Sequence, residues 1–150
     1  MARPETTYPA IIGQVVRYLR TKARKKEGKE VIDQGTLAEE IGLSRSAYSR
    51  IETGEVAPNI EHLAKIAGAL DTSLSTIFSM ADDIADQLRD SGYIIHEEAL
   101  GKIKRTQDEK PESEKEGVGL GGLVIATALG AIVGGLAAAF LSKDSDDDDD

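Results

Sequence analysis

From Asp33 to Phe78 every apolar helical repeat is short, and each is stopped by a residue with a backbone reason to stop it. Leu37, Ala38 and Ile41 make one short helix, ended by Gly42. Ser44 suits the N-cap of the next, which carries Ala47, Tyr48 and Ile51 on its apolar side and stops at Gly54. Pro58 and Asn59 open a further helix with Ile60, Leu63, Ala64, Ile66, Ala67 and Leu70, and Ser75 to Phe78 opens another. Ahead of this block, Ile11, Ile12, Val15, Val16 and Leu19 repeat at helical spacing behind Tyr8 and Pro9. Ile84 and Leu88 mark an amphipathic helix over Ala81 to Arg89, and Tyr93 to Ile95 is the only strand-like stretch. The pattern predicts an all-α chain built on a bundle of five short helices.

What fills that bundle is aliphatic, because aromatic residues are only 4% of the chain, two Phe and four Tyr with no Trp. The absence of cysteine excludes a disulfide scaffold, a Cys-based zinc site and thiol catalysis, and suits a reducing compartment. With two histidines, no nucleophile–base pair and no metal-ligand spacing, neither an enzyme nor a cofactor or metal site is expected. His62 reads as an exposed helix residue. His96, beside Glu97 and Glu98, reads as the polar start of a helix before Ala99 and Leu100.

The net charge of −9 is unevenly spread. Residues 1–80 carry 11 basic against 10 acidic side chains, whereas 81–116 carry 6 against 11 and 117–150 carry 1 against 6. The first half is therefore free to meet a polyanion. Within it Arg17, Arg20, Lys22, Arg24, Lys25, Lys26 and Lys29 form a basic cluster beside Glu27.

A short helix, a glycine turn, a capping serine and a second short helix have the physics of a helix-turn-helix. With Ala47, Tyr48 and Ile51 turned inward, Arg45, Ser46, Ser49 and Arg50 are left on the outer face of the second helix. All four form hydrogen bonds, and arginine can pair bidentately with guanine O6 and N7 in a major groove. Arg50 and Glu52 read as a surface pair of opposite charges.

This block resembles the Cro/phage-repressor-like (XRE-type) helix-turn-helix family. The resemblance is close over some 45 residues and extends over 8–78, and it rests on Gln34, Leu37-Ala38, Gly42-Leu43-Ser44, Tyr48 to Glu52 with Gly54, Pro58, and Leu63 to Leu70. It implies that Gln34 binds a DNA phosphate or braces the recognition helix. It also implies that Arg45, Ser46, Ser49 and Arg50 read bases, and that the Pro58-Asn59 loop meets phosphate. The family binds pseudo-palindromic double-stranded DNA as homodimers. Three features depart from its pattern: Asp33 in place of a small polar residue, Asp71 in place of a glycine, and a basic insert from Ala23 to Glu30.

Gly117 to Ser142 contains no charged residue, and as a helix it would span roughly 39 Å, longer than a hydrocarbon core requires. It reads as a single transmembrane helix. Lys102, Lys104, Arg105, Lys110 and Lys115 precede it and only Lys143 follows, which keeps the N-terminal domain cytoplasmic and sends the C-terminal tail outside the cell membrane. Small residues recur every fourth position at Gly122, Ala126, Gly130, Gly134, Ala138 and Ser142, a stripe suited to helix pairing. Gly117, Gly119 and Gly122 also spell G-x-G-x-x-G, but the charged stretch before them offers no strand, so a dinucleotide site is rejected.

The organisation expected is thus a DNA-binding domain over 8–80, a helical extension over 81–105, a disordered charged linker over 106–116, a transmembrane helix over 117–142 and an acidic tail over 143–150. The function expected is a membrane-anchored, sequence-specific transcriptional regulator. Two rivals use the same fold: a membrane-bound protein–protein adaptor, and an antitoxin or phage-immunity repressor whose acidic region 81–116 holds a protein partner.

Overall fold

A computed structural model describes residues 3–102. A short strand β1 (Glu5–Thr7) leads into α1 (Tyr8–Tyr18), which continues through a π-helical turn at Leu19–Ala23 into the single turn α2 (Arg24–Lys26). Thr7 caps α1 by accepting the Ala10 N–H at 3.1 Å, and Pro9 sits in its first turn, where a missing donor costs nothing. After a loop come α3 (Gln34–Ile41), α4 (Arg45–Glu52), α5 (Ile60–Ala69) and α6 (Leu74–Asp90), then β2 (Ile94–His96).

The local signals act where they stand. Asp33, Ser44, Asn59 and Ser73 each accept a backbone N–H from the first turn of the helix that follows, and so cap α3, α4, α5 and α6. Gly42 ends α3 in the left-handed region at φ 79°, which admits glycine without strain. Asp71 takes the same kind of turn after α5 at φ 55°, an aspartate serving where glycine is usual. Its carboxylate then draws in Arg24 and Lys29, at 3.8 and 3.5 Å.

The core runs from α1 to α6. Ile11, Val15, Val16, Leu37, Tyr48, Ile66, Ile77, Ile84 and Leu88 are all buried within it. At about 1.5–3 kcal/mol for each large apolar side chain buried, this cluster is the main favourable term. Helix α1 meets α4 closely at Gly13, where a Cβ would run into the carbonyl oxygens of Ile51 and Glu52.

Several expectations are corrected. The helices read separately at Ser75–Phe78 and Ala81–Arg89 are one, α6, because Met80 and Ala81 are buried and join Ile77 to Ile84 in a continuous stripe. The described part of the chain is not wholly α, since β1 and β2 pair in parallel with Thr6 opposite Ile95. That ladder extends the packed structure to both sides of residues 8–80. His96 lies in β2, not at a helix start, with Nε2 3.1 Å from Glu5 Oε2 across the ladder. The basic insert is helical as far as Lys26, so only its second part loops out. Ile60 and Ala64 face solvent, Ile60 at 63% exposure, because α5 packs through Leu63, Ile66 and Ala67.

Among the described residues no helix is long and apolar enough to cross a membrane. The linker 106–116, the transmembrane segment 117–142 and the acidic tail 143–150 lie outside the described residues.

Candidate nucleic-acid interface

Helix α4 has two polar sides with opposite fates. Its N-terminus is fixed by Ser44, whose hydroxyl accepts the Ala47 N–H at 3.1 Å, and its C-terminus by Gly54 at φ 76°. Tyr48, Ile51 and Glu52 are buried, while Ala47 is only partly covered.

Glu52 is therefore not a surface partner of Arg50. Its Oε1 accepts from Arg20 Nε at 2.6 Å and from the Tyr48 hydroxyl at 2.6 Å. Its Oε2 accepts from Arg20 Nη2 at 3.1 Å and from the Gln34 amide at 2.7 Å. Arg20 spends its remaining reach on the Ile32 carbonyl, donating from Nη1 at 2.7 Å. Burial alone would raise the Glu52 carboxyl, but the hydrogen bonds from Arg20, Tyr48 and Gln34 reverse this and hold it below its ordinary value. Burial would likewise lower the Arg20 guanidinium, and its bonds to Glu52 raise it instead. Burial, then the bond to Glu52, pushes the Tyr48 phenol upward, so it stays protonated and donating. A buried charge with every lone pair engaged is stable only while its partners remain. The network thus ties the π-helical turn, the start of α3 and the end of α4 into one unit.

The outer side is open. Arg45, Ser46 and Arg50 are exposed and Ser49 is half-buried. None of the four has a side-chain hydrogen bond or ion pair among the described residues. Arg45 lies beside the α3 N-terminus, its Cδ 3.9 Å from where a Gly35 Cβ would stand. Asp33 close by is held below the usual carboxylate range, mainly by bonds from the Thr36 N–H and hydroxyl and to a smaller extent by the charge of Arg45.

The other residues expected at the interface divide. Gln34 has its amide nitrogen committed to Glu52, the bracing geometry of its two implied roles. Asn59 is exposed, and its Oδ1 accepts the His62 N–H at 2.7 Å as the α5 cap, leaving its amide donors without a partner among the described residues. The basic cluster is thinner than its sequence suggests, because Arg20 is buried on Glu52, Arg24 donates to the Glu30 carbonyl, and Lys29 pairs with Glu27 and Asp71. Arg17, Lys22, Lys25 and Lys26 remain exposed. Sequence reasoning missed the Arg20–Glu52 pair, although a signal was present: Arg20 follows Val16 by four, and Glu52 follows Tyr48 by four, on the inward faces of their helices.

A helix-turn-helix family model matches residues 22–77, which takes in α3, the Gly42 turn and α4. Residues 22–77 are thus similar to an XRE-type helix-turn-helix domain. The domain is similar to the cryptic phage CTXphi transcriptional repressor RstR of Vibrio cholerae, at 36% identity over 61 residues, 39% of this chain and 54% of that protein. The chain thus spans about half the length of the curated relative it matches. A crystal structure of the clp gene regulator ClgR from Corynebacterium glutamicum aligns with a TM-score of 0.45 and 21% identity, over 71% of this chain and 88% of that one. Strand β1, the whole of α1, the C-terminal part of α6 and β2 lie beyond the family match.

Proposed function

We propose that this protein is a DNA-binding transcriptional regulator, with α4 as the recognition helix in the major groove of a specific duplex. Arg45, Ser46, Ser49 and Arg50 are the base-reading residues, with Asn59 at a flanking phosphate and Gln34 bracing α4 through Glu52. The observation that carries this reading is the open outer side of α4. Its arginines and Ser46 are exposed and unpaired on a helix whose inner side is locked by a buried network. Hydrogen-bonding side chains on a rigid helix read base edges at little cost in ordering. The similarity to a phage repressor favours repression over activation, and the exposed Arg17, Lys22, Lys25 and Lys26 add electrostatic affinity for phosphates.

The reading also includes a homodimer, since one recognition helix specifies only a few base pairs. It includes a membrane anchor at 117–142 with the domain on the cytoplasmic side, supported by the length, charge-free composition and flanking lysines of that stretch. The test is genome-wide crosslinked DNA recovery with the full chain beside an Arg45→Ala/Arg50→Ala variant. Discrete peaks that vanish in the variant support the regulator. Absence of peaks in both, with the chain still in the membrane fraction, overturns it in favour of a protein-binding adaptor.

A further inference from the structure

The chain does not leave the domain at the end of α6. Gly92 turns it at φ 89°, the Tyr93 N–H bonds back to the Leu88 carbonyl, and the Ile94 N–H bonds to the Pro4 carbonyl at 2.9 Å. Strand β2 then runs beside β1, which continues without a break into α1. Beyond β2 the chain crosses to the far end of α4. There the Leu100 N–H donates to the Gly54 carbonyl at 3.1 Å and the Gly101 N–H to the Glu55 carbonyl at 3.0 Å. Ala99 and Leu100 are buried against this turn, at 5% and 4% exposure.

The fit allows no side chain at two points. A Cβ on Gly101 would stand 2.7 Å from the Glu55 carbonyl oxygen. A Cβ on Gly54 would collide with Ala10 of α1, so the turn is held between α1 on one side and Leu100 on the other. The Gly54–Glu55 turn is also where α4 ends: the Thr53, Gly54 and Val56 N–H groups bond to the carbonyls of Ser49, Ile51 and Arg50.

We infer that residues 93–102 are a strap, and that Leu100 and Gly101 are positioning residues for the recognition helix. The strap fixes the C-terminal end of α4 against β1 and α1, and so sets the angle at which Arg45 and Arg50 are presented. The inference rests on the DNA-binding reading for its effect on affinity, and on the structure alone for its effect on α4. It places a required part of the DNA-reading unit outside residues 22–77.

The experiment uses the full chain in detergent and a duplex selected by the wild-type protein from a random-sequence library. Gly101→Val forces the strap turn off Glu55, Leu100→Ala loosens it while sparing the backbone, and Gly68→Ala, where a Cβ meets nothing within 4 Å, is the control. Hydrogen exchange is expected to show protection at Thr53, Gly54 and Val56 falling about tenfold or more in Gly101→Val, as suits the loss of two supporting backbone hydrogen bonds. It should fall less in Leu100→Ala, while the α5 amides stay protected in all three. Affinity for the selected duplex is expected to fall in the same order. Unchanged protection at those three amides in Gly101→Val overturns the strap, whatever happens to DNA. Loss of that protection with unchanged affinity overturns the positioning role. Failure of the wild-type chain to select any duplex overturns the DNA-binding reading instead, and exchange alone then decides whether the strap braces α4.

Discussion

Arg20 and Arg45 show what separates the two polar regions of this domain. Both are arginines near a helix-turn-helix, and both have carboxylates within reach. Arg20 is buried, and its three side-chain hydrogen bonds go to Glu52 and the Ile32 carbonyl. Arg45 is exposed, and the carboxylate of Asp33 close by is already engaged with Thr36. The same side chain is therefore a structural bolt on one side of α4 and an unused donor on the other. Burial with complete pairing marks groups that hold a fold. Exposure without pairing on a fixed frame marks groups left for a partner.

If the inner network is a bolt, breaking it has the largest effect. Glu52→Ala leaves the Arg20 guanidinium buried without its carboxylate and should cost about 3–5 kcal/mol, a large fraction of the stability of a domain this size. Chemical denaturation would show it as a lowered midpoint, and Arg20→Ala should behave alike. A midpoint within error of wild type would dissolve the distinction between the two regions.

A second change attacks the frame between them. Gly13→Ala drives a methyl group into the Ile51 and Glu52 carbonyls, forcing α1 away from α4 at a cost of roughly 1–3 kcal/mol. Ser44→Ala removes the cap of α4 and should cost about 1 kcal/mol. Both belong in the same denaturation series, in that order.

Acid sharpens the comparison from another direction. The Glu52 carboxyl is held below its ordinary value of 4.5, so its contribution is complete above that pH and is lost as pH falls through the depressed value. Wild-type stability should therefore drop on acidification below pH 4.5, and Glu52→Gln should flatten that part of the curve. An equal slope in both proteins would mean that other carboxylates govern acid unfolding.

The smallest effects are expected on the basic surface. Lys25→Ala and Lys26→Ala should each reduce the salt dependence of DNA binding by about one ion while leaving stability unchanged. Titrations at several salt concentrations measure this directly.

How much of this was legible in the sequence depended on how far each interaction reaches along the chain. Caps and stops are local, so Gly42, Ser44, Gly54 and Asn59 announced their helices, and Arg45, Ser46 and Arg50 followed as what the inward residues left over. The Arg20–Glu52 pair spans 32 residues, and a charged residue on an apolar face gives no sign of its partner. In sequence Arg20 therefore reads as one more member of the basic cluster. The β ladder joins residues about 90 positions apart, and a three-residue strand such as Ile94–His96, read from sequence one residue early at Tyr93 to Ile95, is uninformative until its partner is known. Helix α6 was divided because Met80 and Ala81 carry a weak apolar signal that only packing against α1 makes decisive. For the same reason the strap could not be read at all: its meaning lies in two backbone bonds to Gly54 and Glu55.

The central claim is that the two sides of α4 do separate work, one holding the fold and one reading DNA. The most direct test measures thermal stability and duplex affinity together in the Arg45→Ala/Arg50→Ala variant, using the duplex selected by the wild-type chain. The account predicts an unchanged Tm and an affinity loss of about 1–3 kcal/mol for each bidentate contact removed. Unchanged affinity, or a fall in Tm that tracks the loss of binding, would contradict it.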